Sequence, residues 1–166
     1  MKKLRRILRH LFTTTATGRR AFPPAALKSI QATIAKGEDL HRAEVRLVIE
    51  PSLSLADALD GMSSRQRARE LFSNYRIWDT EENCGILVYI NLADHKVEII
   101  ADRGIGRLIS AAQWQAVCQT MTRDFARGAY QDSVIAALEQ LNEMLHAQFP
   151  ADGPRPNQLS NKPLIL

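Results

Sequence analysis

An almost unbroken apolar run, CGILVYINL at positions 84–92, constrains the fold of this chain more than any other feature. A strand that is apolar at every position is covered on both faces, as the inner strands of α/β sheets are. Asp94-His95 follows as a turn, and Val97 to Ala101 returns as a partner strand. The sequence therefore predicts a β-hairpin over about residues 84–101, ending in an Asp102-Arg103-Gly104 turn.

Helical patterns lie on both sides of this hairpin. Apolar residues recur at helical spacing after Pro23, after the capping sequences Ser63-x-x-Gln66 and Ser110-x-x-Gln113, and along residues 130–149. Residues 45–50 alternate as a strand that ends at a proline. At 166 residues the chain has the length of one domain. The order of elements predicts an α/β fold, a three-layer α/β/α sandwich with a small mixed sheet that contains the hairpin centrally.

Charge and proline content divide the chain into three parts. Residues 1–28 hold eight Lys or Arg and no acid, whereas the rest holds 14 bases and 18 acids. We expect a basic amphipathic arm at 1–22, the α/β domain at 23–150, and a Pro-rich, irregular tail at 151–166. The high isoelectric point belongs to the arm rather than to the domain.

The apolar residues of the arm share one helical face: Leu4, Ile7, Leu8, Leu11 and Phe12. Arginines interrupt them, so the arm is not a secretory signal, and no apolar run in the chain is long enough to span a membrane. The simplest expectation is a helix packed on its own domain. The alternative is reversible docking of residues 1–20 on an anionic membrane surface. Nucleic acid is an unlikely partner because no aromatic stacking platform accompanies the charge.

The two cysteines, Cys84 and Cys118, lie in apolar periodic segments. A free thiol in such a segment behaves as a small hydrophobic side chain, which suits a reducing compartment. We therefore expect a cytoplasmic protein, or one that is peripheral on the inner membrane face if the arm docks there.

Two stretches of the sequence form a recognisable pattern: WDTEENCGILVYI at 78–90 and KVEIIADRGI at 96–105. Together with the Trp114 helix and the Phe125-x-x-Gly128 ending, they resemble the TPM domain family. The resemblance covers about residues 23–150 and is to a short bacterial subgroup without signal peptide or transmembrane helix. It implies a Rossmann-like α/β/α sandwich, and it brings two functional expectations, acid phosphatase activity and divalent-cation binding. Two departures from the family pattern, Ala43-Glu44 at the first strand and Asp102 in the turn, bear on any ligand carried over.

Motifs for covalent phosphatase chemistry are missing from the sequence. Neither cysteine begins a Cys-x5-Arg loop, and no Asp-x-Asp pair or P-loop occurs. The four histidines are scattered without metal-ligand spacing. We therefore assign no catalytic residue, and a phosphatase here would have to be metal-assisted.

Oxygen-bearing side chains before the hairpin favour a different chemistry. Asp79, Glu81 and Asn83 occupy positions one, three and five of a loop, as in calcium loops, although position twelve is Ile90 and the loop is not an EF-hand. We predict that Asp102 joins them in a calcium or magnesium site at the strand ends, where ligands of open α/β sheets collect. The alternative is that these residues only form turns. The leading functional hypothesis is a non-enzymatic binding module that contacts an unidentified protein partner through the cation or the loop edge; a metal-assisted phosphatase is the alternative.

Overall fold

The computed structural model describes residues 2–166. Its elements, in chain order, are α1 Lys2–Phe12, α2 Thr15–Ala21, α3 Pro24–Glu38, β1 Glu44–Glu50, α4 Leu55–Asp60, α5 Ser64–Asn74, β2 Gly85–Asn91, β3 Lys96–Ala101, α6 Arg103–Gly106, α7 Ala111–Thr122, a 3-10 turn Phe125–Arg127, α8 Tyr130–Gln148 and β4 Leu164–Ile165.

The four strands form one mixed sheet in the order β3-β2-β1-β4. β1 runs parallel to β2 and to β4, and β3 runs antiparallel to β2. The predicted hairpin is confirmed as β2 and β3, with His95 in its turn at a φ of 52°. Every residue of β2 is buried, as its apolar sequence indicates, but β3 lies at the sheet edge, so only half of the hairpin is central.

Helices cover both faces of the sheet. Alternate residues of β1 and β2 point to one face or the other, because side chains alternate along a strand. One face packs against α3, α7 and α8 through the larger core, which includes Ile30, Ile34, Val117, Met121 and Leu138. The other face packs against α5 through a smaller core that includes Val48, Tyr89 and Leu71. The three-layer α/β/α sandwich is therefore confirmed.

Local signals place the helix starts. Ser63 and Gln66 form the predicted capping box before α5, and Ser110 and Gln113 form the one before α7. In each box the serine hydroxyl accepts the N–H three residues later while the glutamine side chain accepts the serine N–H. Each box satisfies two backbone donors that would otherwise lack a helical partner.

The arm forms two helices, and the first is held to the domain by polar contacts. Arg6 of α1 binds Asp94 of the hairpin turn with both nitrogens, at 3.0 Å from Nε to Oδ1 and 2.8 Å from Nη2 to Oδ2. The buried His10 accepts the N–H of Leu53 on Nδ1 at 3.1 Å, and its Nε2 lies 3.2 Å from Asp94 Oδ1. Burial lowers the pKa of His10. α1 is thus held to the domain by its polar side, whereas the arm ends in Phe22, which is buried in the larger core.

The tail after α8 is largely irregular, as its prolines indicate, but its end adds a strand that we did not predict. Leu164 and Ile165 pair in parallel with Val48 and Ile49 of β1. Arg46 donates from Nη1 to the carbonyls of Ser160 and Lys162, both at 2.7 Å. Among residues 2–166, no helix combines the length and the apolar character needed to cross a bilayer.

Candidate functional site

The predicted site residues lie on two segments at one edge of the sheet. The acidic loop, residues 79–83, leads into the start of β2, and the Asp102 turn, residues 102–106, follows the end of β3. Because β3 runs antiparallel, this edge holds the amino ends of the parallel strands β1 and β2. The expectation that Asp102 lies at the edge where ligands of open α/β sheets collect is therefore wrong, since that rule applies to the carboxyl ends of parallel strands.

Backbone and side-chain hydrogen bonds fold the acidic loop into a compact turn. The N–H of Cys84 donates to Thr80 Oγ1 at 2.9 Å, and the N–H of Asn83 donates to the Thr80 carbonyl at 3.2 Å. Asn83 has a φ of 52°, a left-handed conformation that asparagine tolerates better than most residues. Asp79, Glu81 and Asn83 are all exposed. A threonine that the sequence analysis did not single out is thus the side chain that closes this loop.

Gly104 brings the Asp102 turn against the acidic loop. Its N–H donates to the Asn83 carbonyl at 2.9 Å. A Cβ atom at Gly104 would lie 2.4 Å from the backbone oxygen of Glu82 and 2.6 Å from that of Asn83, distances that real Cβ atoms do not reach. The two segments therefore meet backbone to backbone, and only glycine allows it.

The carboxylate of Asp102 has one engaged oxygen and one free oxygen. Asp102 caps α6, where its Oδ1 accepts the N–H of Arg103 at 2.7 Å. Its Oδ2 is buried and has no hydrogen-bond partner within residues 2–166. A buried polar atom without a partner is uncommon in folded proteins and calls for an explanation, such as a bound ion or water.

The other predicted ligands do not form a carboxylate cluster with Asp102. Across the described part of the chain, no group of three or more His, Cys, Asp or Glu side chains is placed to hold a metal ion. A cation bound at Asp102 would therefore need oxygens of other kinds, such as the backbone carbonyls that contact Gly104 or the amide of Asn83.

The tail crosses the same edge and is held there by a glutamate at the start of β1. The buried Glu44 accepts the N–H groups of Gln158 and Leu159 on Oε2, at 3.1 and 2.9 Å. The N–H of Glu81 in turn donates to Gln158 Oε1 at 2.8 Å. Burial raises the pKa of Glu44. The tail thus connects the start of β1 with the acidic loop.

Glu82 ties the acidic loop to two arginines from distant parts of the chain. Arg42, before β1, donates to Glu82 Oε2 at 2.9 Å, and Arg155 of the tail pairs with Oε1. The Arg42 guanidinium also lies 4.0 Å from the centre of the Phe149 ring. These contacts fix the acidic loop between the end of α8 and the tail, and they leave Glu82 satisfied without any ligand.

A cavity of about 530 Å³ opens between the end of α3, the start of β1 and the tail. Glu38, Glu44, Arg155 and Asn161 are among the residues that line it. Glu38 Oε1 accepts the N–H of Val45 at 2.8 Å, and burial raises the pKa of Glu38 to about 8. Sequence reasoning did not connect Glu38 or the tail with this edge, because no local pattern brings residues 38, 44 and 155–161 together.

The structure is thus an α/β/α domain with a mixed sheet, and its polar loops lie together at the amino ends of β1 and β2. The sequence model of the TPM domain matches residues 19–144. The chain therefore belongs to the TPM domain family, as its resemblance indicated.

One solved structure supports the fold independently. The chain is similar to the BA42 protein from the psychrophilic bacterium Bizionia argentinensis, determined by NMR, with a TM-score of 0.75 and 21% sequence identity. The match covers 85% of this chain and 92% of that one. No curated protein matches the chain.

Proposed function

We propose that this TPM-domain chain is a non-enzymatic binding module that holds a calcium or magnesium ion where the acidic loop meets the Asp102 turn. The buried, unpartnered Oδ2 of Asp102 is the observation that carries the proposal. Both cations prefer oxygen ligands, including carboxylates and backbone carbonyls. The carboxylate of Asp102 and the carbonyl oxygens of Glu82 and Asn83 near Gly104 are groups of this kind.

The nearby side chains support binding rather than covalent chemistry. Burial raises the pKa of Cys84 and raises that of Cys118 to about 11, so neither thiol supplies a thiolate near neutral pH. His10 and His41 are buried and hydrogen-bonded, and His95 lies in the hairpin turn, at the opposite end of β3 from Asp102. His146 on α8 contacts the Leu40 carbonyl through Nδ1 at 2.8 Å. Within residues 2–166, no histidine base or thiolate is therefore placed to act at the Asp102 turn.

A cation titration followed by amide NMR tests the proposal on the full chain. Calcium or magnesium should shift the amides of residues 79–85 and 102–106, and Asp102→Asn should weaken this response at least tenfold. Asp60→Asn, which changes an exposed carboxylate on α4, is the matched control and should bind as the unaltered chain does. Amides that stay unmoved at both segments would exclude a cation site there.

A metal-assisted phosphatase is the alternative function for the same residues. A bound cation would supply charge stabilisation for a phosphoryl group, and Arg103, next to Asp102, has the chemistry to pair with phosphate oxygens. Hydrolysis of p-nitrophenyl phosphate should then fall at least tenfold in Asp102→Ala. Activity that survives this change would belong to a contaminant and would leave the binding module as the function.

We further propose a cytoplasmic location and a protein partner at the loop edge. Both cysteines are free thiols, which fits a reducing compartment. Cation binding at exposed loops would alter the surface that a partner meets, so partner capture from a cell extract should depend on the added cation and be lost in Asp102→Asn.

A further inference from the structure

The outward side of α1 is apolar, which is the reverse of an ordinary surface helix. Four of its large hydrophobic side chains are exposed: Leu4 at 62%, Leu8 at 43%, Leu11 at 55% and Phe12 at 74%. We call these four residues the α1 apolar face. A surface helix normally buries such a face against the core and turns its charges to water. Here the sequence retains an apolar stripe that the domain does not cover.

Polar contacts fix this orientation. Arg6 and His10, which lie on the other side of α1, bind Asp94 and Leu53 as described above. Arg6 Nη2 also donates to the Met62 carbonyl at 2.6 Å. Because α1 is held through its polar side, the α1 apolar face points away from the domain.

A second helix adds to the exposed apolar surface. α4 packs against α1 and exposes Leu55 at 49% and Leu59 at 46%. Single exposed leucines are common on protein surfaces, but six large apolar residues on two adjoining helices are not, and such a surface indicates an interaction site.

Positive charge predominates on the arm that carries the α1 apolar face, whereas the adjoining α4 carries Asp57 and the exposed Asp60. Residues 1–37 contain nine Lys or Arg and no Asp or Glu, whereas residues 38–166 contain 13 bases and all 18 acids. Lys3, Arg5 and Arg9 of α1 are exposed, and so are Arg19 and Arg20 of α2. Arg5 and Arg9 are one helical turn apart on one side of the apolar face. Arg9 keeps half of its side chain exposed although its Nη2 lies 3.6 Å from Asp94 Oδ1.

We infer that the α1 apolar face docks this chain onto an anionic lipid bilayer. An amphipathic helix with an apolar side and basic flanks lies in the plane of the membrane interface, where its apolar residues enter the acyl boundary and its bases meet lipid phosphates. A second copy of the chain is the less favourable occupant, because a symmetric contact through this face would bring two basic rims together. The inference is independent of the cation site, which lies at the other edge of the sheet.

Vesicle flotation of the full chain tests this inference. Vesicles of phosphatidylcholine with about one quarter phosphatidylglycerol should bind the chain at least tenfold more tightly than pure phosphatidylcholine vesicles, and added salt should weaken the binding. The double variant Leu8→Ser, Phe12→Ser should reduce binding at least tenfold. Leu40→Ser is the matched control, because Leu40 is as exposed as Leu8, at 44%, and lies outside α1.

The variants change exposed side chains, so their circular dichroism and thermal unfolding should match those of the unaltered chain. Failure of the unaltered chain to bind anionic vesicles would overturn the inference, as would equal binding by the double variant and Leu40→Ser. A dimer seen by sedimentation velocity that the double variant abolishes, without vesicle binding, would assign the face to self-association and overturn it as well.

Discussion

Glu38 gives the sharpest prediction for pH-dependent stability. Its carboxyl lies at the end of α3 against the start of β1, where Oε1 accepts the N–H of Val45. Burial, followed by the nearby negative charge of Glu44, raises the pKa of Glu38 from 4.5 to about 8, although the Val45 hydrogen bond acts in the opposite direction. The folded chain therefore holds a proton on Glu38 at neutral pH that the unfolded chain has released.

This difference in proton binding makes the fold less stable as pH rises. The stabilisation that comes from the proton on Glu38 is complete below pH 4.5 and is lost progressively between pH 4.5 and about 8. Each pH unit in that interval costs about 1.4 kcal/mol, so the free energy of unfolding falls by about 3 kcal/mol between pH 4.5 and 7 through this group alone. Glu38→Gln removes the titration while keeping an oxygen for the Val45 N–H.

Urea denaturation from pH 4.5 to 9 measures the effect. Glu38→Gln should match the unaltered chain at pH 4.5 and exceed its free energy of unfolding by about 3 kcal/mol at pH 7. Glu139→Gln, which replaces an exposed carboxyl on α8, is the control for the substitution itself. A Glu38→Gln difference that does not grow with pH would refute the argument that burial holds the proton.

Two further predictions concern contacts that join distant segments. Gly104→Ala should lower the free energy of unfolding by about 2–3 kcal/mol in urea denaturation, because its Cβ would collide with the Glu82 carbonyl. Gly106→Ala, where the nearest atom is 3.5 Å away, should change it by under about 1 kcal/mol; equal losses at both positions would contradict the close approach. Burial acts to raise the pKa of Asp94, but the Arg6 guanidinium outweighs it and lowers that pKa. Asp94→Asn should therefore speed hydrogen exchange in α1 most at neutral pH. The difference from the unaltered chain should become smaller toward acid, where Asp94 is protonated. Unchanged exchange in α1 would show that this ion pair does not hold the arm.

The sequence predicted the elements whose signals are local. The capping boxes at Ser63 and Ser110, the proline at the start of α3 and the apolar run of β2 each act within a few residues. The hairpin followed from the same kind of evidence, because a short connection, residues 92–95 in the structure, leaves its strands little choice of partner. These local signals, taken in order, also led to the layered fold and to the family.

The candidate site was predicted only in part, because its geometry depends on pairing between distant strands. Asp102 and the acidic loop do meet, through Gly104 and Asn83. The parallel pairing of β1 with β2, which no local pattern indicates, places them at the amino edge of those strands rather than the carboxyl edge. Glu44, the first residue of β1, lies at this edge too, and it holds the tail there through the N–H groups of Gln158 and Leu159.

The sequence by itself determined the hairpin, the capped starts of α5 and α7, and the strong segregation of basic residues in the arm. The tertiary structure decided which side of α1 faces the domain, because Asp94 lies where it binds Arg6 and turns the leucines outward. It also decided that the tail ends in a strand and that Glu38 keeps a proton near neutral pH. Burial and long-range pairing set these properties, and both depend on neighbours that are far away in the sequence.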